Sequence, residues 1–414
     1  MSESDKSITD LKSSKETPLS YNQRKLWFLE NLQSVRSPFI ISRAYHICGP
    51  LNVSCLQKAW AVVLKNNNNL RINFREQNGK IFQWINEDVV ERIGFKEYCD
   101  LKERVAWEKV RESLDDLFCR PFNLIGDSLF RINLFKISEN NFLLALCFHQ
   151  IIIDRASAGL IVQQLSCCYN RLLKTGKFQE KPVEYDYFDF VQYQLKKTEV
   201  EKHTQCFWKE QFSIFPEVLN LYYECKNASA YCRRFAFNDF QFENGLYGDL
   251  QKFCSENNAE PLHVCAAILY VLLKRYTGQH DICISIPASG REIKEYETVK
   301  GSFESLLPVR ITMGDDVTFS GVLKEVRDAV TLSFSNQDSF SEYFLDNVAE
   351  APDKTIMPFF QVSIQFDYSS GQKLAIDNCV CRELNEYSIC CGCDLNFVLR
   401  EDNGQLKGKI DYNG

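Results

Sequence analysis

Seven apolar residues in a row, Phe142-Leu-Leu-Ala-Leu-Cys-Phe148, run straight into the polar cluster His149-Gln-Ile-Ile-Ile-Asp-Arg-Ala-Ser-Ala-Gly159. An unbroken apolar run of this length fits a strand covered on both faces. Behind the cluster, Ala158 to Leu173 places Ile161, Leu165 and Cys168 on one face of a helix. A buried strand feeding a helix belongs to a layered fold of the α/β (α+β) class, not to a helix bundle. It also puts polar groups on a rigid strand end, where functional side chains are well held. On the residues alone, His149 fits two roles: a general base, or a histidine satisfied by packing at a strand end.

The rest of the chain repeats this theme in two halves. Ser54 is placed to cap a helix reaching about Lys65, with Leu56, Trp60, Val63 and Leu64 on its apolar face. Polar residues from Lys174 to Glu184, then an aromatic and charged helical stretch to Gln211, mark the connection between halves. Pro261 and Gly278 bracket a helix over Pro261–Tyr276. Asp281 to Ile286 reads as a strand ended by Pro287, and Pro358 to Phe366 as another. Thr318 or Ser320 caps a helix carrying Leu323, Val326 and Val330.

Charge narrows the function classes. The formal charge is −7 with both signs mixed along the chain, against a nucleic-acid binder. No apolar stretch is long enough for a membrane span. Met1 to Thr17 is polar, lacks a signal-peptide core, and reads as a disordered leader. With no secretory signal, the 18 cysteines read as reduced thiols, and the chain is expected to be cytoplasmic. Cys379, Cys381, Cys390, Cys391 and Cys393 lack paired-knuckle spacing and read as small core residues, not as a zinc site.

Several motifs, spaced in one order from Pro18 to Tyr412, carry a family resemblance. They are Pro18-Leu-Ser-Tyr-Asn-Gln-Arg-Lys-Leu-Trp27, Leu70-Arg71-Ile-Asn-Phe74, Pro121-Phe-Asn-Leu124, His149 to Gly159, Pro287-Ala-Ser-Gly-Arg291, Gly301-Ser-Phe303 through Arg310, and Pro358-Phe-Phe-Gln-Val362. Together they resemble the condensation domains of nonribosomal peptide synthetases, in the chloramphenicol-acetyltransferase-like superfamily. The resemblance implies two acetyltransferase-like lobes, 18–180 and 181–414, forming a V-shaped pseudo-dimer with a central tunnel. The second lobe is expected to be truncated at its end, as in a piece of a larger synthetase that is monomeric when excised. Donor and acceptor peptidyl carrier proteins would bring an acyl or peptidyl thioester and an amine into the tunnel, beside adjacent synthetase domains. No cofactor is implied in the domain itself; phosphopantetheine comes on the carriers.

The family motif is His-His-x-x-x-Asp-Gly, and Asp154 fixes its register. His149 precedes Asp154 by five residues, so it matches the first histidine. Gln150 then stands where the family's catalytic histidine stands, and Arg155 replaces the glycine. The catalytic set implied is therefore His149, Gln150 and Asp154, with Asp154 in a structural ion pair to Arg71. Arg155, Ser157, Gly159, Ser305 and Gln361 are implied as tunnel or substrate-lining residues. Lys25 takes a common arginine position, and Ser305-Leu306 replaces the family's Asn-Thr. Glutamine is no base near neutral pH, and arginine tolerates poorly a backbone angle that only glycine adopts freely. Two functions follow from the resemblance: amide-bond formation between carrier-bound substrates, or a noncatalytic platform for carriers or a tailoring enzyme. A stand-alone acyltransferase using a soluble donor is disfavoured by the second-lobe motifs.

Overall fold

The computed structural model describes residues 16–32, 39–89, 92–177, 184–198, 204–221, 235–347, 358–367, 373–384 and 393–413. Most of the expected leader, with Cys390 and Cys391, lies outside them.

In chain order the first half holds β1 (Glu16–Pro18), α1 (Tyr21–Leu32), β2 (Ile40–Cys48), α2 (Val53–Asn66), β3 (Ile72–Gln77) and β4 (Lys80–Ile85). It continues with β5 (Gly94–Glu97), α3 (Glu103–Cys119), β6 (Phe130–Ser138), β7 (Asn141–His149) and α4 (Arg155–Thr175). The connection is α5 (Tyr187–Thr198) and α6 (Thr204–Gln211). The second half holds β8 (Phe235–Gln241), α7 (Leu246–Glu256), α8 (Pro261–Thr277), β9 (Asp281–Ala288), β10 (Ser305–Thr312) and α9 (Phe319–Ser335). It ends with α10 (Gln337–Asn347), β11 (Val362–Asp367), β12 (Val380–Glu383), β13 (Leu395–Asp402) and β14 (Gln405–Asn413).

The fold is mixed α/β, with one large sheet in each half. The first runs β12-β2-β7-β6-β5 and the second β10-β9-β11-β13-β14-β8. The apolar run sits at the centre of the first sheet, where β7 pairs antiparallel with β2 and β6. From Phe142 to His149 every residue of β7 is buried, because the sheet is covered on both faces.

The halves are interleaved. β12 adds antiparallel to β2, so Val380–Glu383 of the second half completes the first sheet. A division at residue 180 therefore does not separate the two sheets. An aromatic seam adds to this: Trp208 on α6 and Phe340 on α10 pack with centroids 4.8 Å apart and belong to the same buried core as β2 and β7. Its indole N–H donates to the Asn336 carbonyl at 2.9 Å. Both polar and apolar parts of this buried ring are thus satisfied.

Local chemistry explains the element ends. Asn52, two residues before Ser54, caps α2 by accepting from the Cys55 N–H at 2.9 Å. Gly278 ends α8 at φ 72°, a left-handed angle that suits glycine. Thr318 caps α9 by accepting from the Gly321 N–H. Pro287 does not end β9. Among the described residues, the β11–β9 ladder pairs Ser363 with Ser285 and does not reach Pro287, so that side of Pro287 needs no backbone donor. Pro358–Phe360 forms a single tight turn, and the strand begins only at Val362. Glu16 and Thr17, assigned to the leader from sequence, form β1 against Gln83 and Trp84 of β4.

Candidate functional site

His149 closes β7, directly opposite Ile40 on β2. Its side chain is fully buried. Nδ1 accepts from the Ile151 N–H at 3.1 Å, which leaves the ring proton on Nε2. Nε2 faces Glu30 Oε2 on α1 at 3.6 Å. Phe122 packs edge-on against the ring, with centroids 5.9 Å apart. Both nitrogens therefore face the interior, and His149 braces the strand end against α1.

Gln150 is half-buried, and its N–H donates to the Phe39 carbonyl at 2.8 Å. Its neutral side-chain amide offers two donors and an acceptor but takes up no proton at neutral pH.

Asp154 is a hub between the halves. Its side chain caps α4 by accepting from the Ser157 N–H at 2.7 Å. Arg291, from the loop after β9, donates to Oδ2 at 2.6 Å and to Oδ1 at 3.0 Å. The backbone N–H groups of Phe303 and Glu304 donate to Oδ2 at 3.1 and 3.2 Å. The Asp154 N–H itself donates to the Gly301 carbonyl at 2.9 Å. A carboxylate with all its lone pairs engaged by structural donors is a fastener, not a base.

The expected Arg71–Asp154 pair is not formed. Arg71 ends the turn Asn68–Arg71 and is drawn to groups close by. It bonds the Glu87 carboxylate, donates to Asn68 Oδ1 at 2.7 Å and to the Lys65 carbonyl at 3.3 Å. Arg291 takes its role. The motif ending in Arg291 was visible in the sequence, but its partner is 137 residues away and no local pattern joins them.

Arg155 also differs from expectation. It is the first residue of α4 and carries no strained backbone angle. Among the described residues, positive φ outside glycine is confined to Asn78, Asn258, Asn378 and Asn403. Its guanidinium donates to Glu304 at 3.3 Å. Burial pushes the Glu304 carboxyl above its ordinary range, while the Arg155 charge pulls it back.

Three of the expected lining residues are packed inside. Ser157 is buried; its Oγ accepts from Arg291 at 2.6 Å and donates to the Gly301 carbonyl at 3.1 Å. Gly159 is buried within α4. Gln361 is buried and accepts from the Leu219 N–H at 2.7 Å. Their polar groups and small size serve the joint between elements. Ser305 is half-buried at the start of β10 and bonds Lys25. Glu30 and Glu304 were not singled out from sequence, because an isolated glutamate carries no local signal of burial.

Gly301 lies where the hub meets α5. A Cβ there would fall 2.0 Å from the Tyr187 ring. That ring is buried and held by its O–H, which donates to the Ser302 carbonyl at 2.9 Å. Gly301→Ala is expected to destabilise the chain by about 1–3 kcal/mol through overpacking. Chemical denaturation checks this, and an unchanged midpoint would refute it.

The condensation-domain family model matches residues 13–414. One of the linear gramicidin synthase proteins of Brevibacillus parabrevis is 25% identical over 408 residues, which are 96% of this chain and 8% of that protein. Cyclosporin synthetase simA from Tolypocladium inflatum is 26% identical over 411 residues, 95% of this chain and 3% of that one. The chain thus spans less than a tenth of these relatives. Among solved structures, the complex of the X-domain and OxyB from teicoplanin biosynthesis matches with TM-score 0.83 at 20% identity, covering 97% of this chain and 88% of that one. The first condensation domain of the CDA synthetase matches with TM-score 0.76 at 17% identity, covering 95% and 92%.

Proposed function

This chain belongs to the condensation-domain family, and on that premise we propose that it is a condensation-like platform of a nonribosomal peptide synthetase. In this reading it receives carrier proteins or a recruited tailoring enzyme and does not form the amide bond through an imidazole. The carrying observation is Gln150. The residue that follows His149 cannot accept the proton an attacking ammonium must lose. His149 does not replace it, because its ring is fully buried and both nitrogens face interior groups.

The likeness to the teicoplanin X-domain supports the same reading, since that domain is seen in complex with OxyB. The platform would sit among other synthetase domains in the cytoplasm, with phosphopantetheine arriving on carriers and no cofactor held by the domain. The second reading is amide formation with Gln150 orienting the amine. It is favoured by the intact frame around the site, above all the Asp154–Arg291 hub.

Binding and turnover separate the two. Calorimetry with donor and acceptor carrier proteins is expected to give saturable binding. Mixing both carriers in loaded form is expected to give no amide product by mass spectrometry. Amide formation that is lost in Gln150→Ala would sink the platform reading and support the second.

A further inference from the structure

Lys25 and Ser305 meet on the wall between the halves. The inner face of α1 is stitched to the segment 302–305. Asn22 Nδ2 bonds the carbonyls of Ser302 at 3.2 Å and Glu304 at 2.9 Å. One turn further along α1, Lys25 Nζ lies 2.5 Å from Ser305 Oγ. Lys25 is buried, whereas Ser305 is half-buried and borders Glu304, the partner of Arg155.

The groups facing Lys25 are largely apolar. From α10 comes the Phe340 ring, 5.5 Å from Nζ to centroid, and from the turn before β11 the Phe360 ring at 5.9 Å. Among the described residues, no carboxylate lies within ion-pairing distance of Lys25. Glu304, just before β10, pairs with Arg155, and Asp338 on α10 pairs with Lys197 at 2.7 Å. Of the other α10 acids, Asp346 is exposed and Glu342 is half-buried. Arg310 on β10 is held by Asp281 at 2.6 Å. On α1 itself, Glu30 faces His149, and Arg24 Nε donates to the Leu19 carbonyl at 3.3 Å.

We propose that Lys25 and Ser305 form a base–nucleophile pair that accepts an acyl group from a thioester. A serine hydroxyl is a weak nucleophile until an adjacent base takes its proton. Lysine fills that role in known serine–lysine pairs. Burial lowers the Lys25 pKa to about 7, so much of it is free amine at neutral pH. The amine lone pair accepts the Ser305 proton as Oγ bonds the thioester carbonyl carbon. The C–S bond then breaks with its electron pair on sulfur, and the Lys25 ammonium protonates the leaving thiolate. The products are an ester on Ser305 and a free thiol. Water completes a cycle by the same route: Lys25 takes its proton, the C–Oγ bond breaks, and Ser305 regains a hydrogen. This chemistry goes beyond the platform reading and needs neither Gln150 nor a bound carrier.

The test uses the S-acetyl thioester of N-acetylcysteamine with the whole chain, and peptide mass spectrometry to locate the acetyl group. Acetylation of Ser305 is expected, with a rate that rises through an inflection near pH 7. It is expected to be absent in Ser305→Ala and about 10²-fold slower in Lys25→Met. Ser305→Cys is expected to be acetylated at the same position. An unacetylated Ser305 in the native chain, or a Lys25→Met rate equal to the native one, would overturn the pair. If Lys25→Met does not fold, the native chain at pH 6 and pH 8 still decides. A rate that tracks hydroxide without an inflection refutes it. Because the probe carries no carrier protein, failure here leaves the carrier-binding result untouched.

Discussion

Replacing Arg291 by methionine is expected to lower the unfolding free energy by about 3–5 kcal/mol, the range for removing one partner of a buried ion pair. The Arg291 and Asp154 side chains are 8% and 4% exposed, so water does not replace the lost guanidinium. Three backbone N–H groups would still hold the carboxylate, from Ser157, Phe303 and Glu304. They keep it in place but do not neutralise it. Arg291 also lies over the Phe303 ring at 4.2 Å and bonds Ser157 Oγ, so its loss opens the joint between α4 and the second half. Removing the charge as well, in Asp154→Asn with Arg291→Met, is expected to recover part of the loss. Arg71→Ala is the contrast. Its partner Glu87 is 70% exposed, and such pairs contribute at most about 1 kcal/mol. Urea denaturation of the set measures this, and similar small losses for Arg291→Met and Arg71→Ala would contradict the hub.

That contrast also shows which parts of the molecule the sequence could express. Signals that act within a few residues were legible. Pro261 and Gly278 bracket α8, Thr318 caps α9, and the apolar run became β7. Asp154 was legible as the fixed point of the family motif, while its capping of α4 emerged only from the structure. What failed was pairing across the chain. Arg71 and Arg291 are both arginines in recognisable motifs, and only the fold, which brings the loop after β9 to the start of α4, decides between them. β12 is four residues with a weak alternating pattern, and its partner β2 lies over 300 residues earlier. No periodicity in Val380–Glu383 states which sheet it joins. Pro287 misled for a related reason. A proline ends a strand only where its missing donor is needed, and that depends on the neighbouring strand. The site residues divide the same way. Gln150 was legible as a loss of basicity, because chemistry belongs to the residue. That Ser157 and Gln361 face inward was not, because burial belongs to the fold.

Gln150→His is expected to raise amide formation between loaded carriers by about 10²–10⁴-fold, the usual contribution of a positioned general base. Position 150 is half-buried, while His149 beside it already fills the inward place against Glu30. A new imidazole at 150 therefore need not compete for that pocket. The backbone there is fixed by the Phe39 carbonyl on one side and the Asp154 hub on the other, so the substitution inherits a held position. Arg155 does not have to revert to glycine, because its backbone is ordinary helix. Its charge still matters, since Arg155 and Glu304 pair beside the turn. Adding Arg155→Gly releases a carboxyl that burial already pushes up, and is expected to alter the pH profile more than the maximal rate. Stopped reactions analysed by mass spectrometry give the rates directly. A large gain means that the scaffold still brings two carrier-bound substrates together and that one missing base silences it. No gain, with both carriers bound, would place the loss in how the substrates are aligned. The platform would then be a property of the whole interface, with Gln150 only its most legible mark.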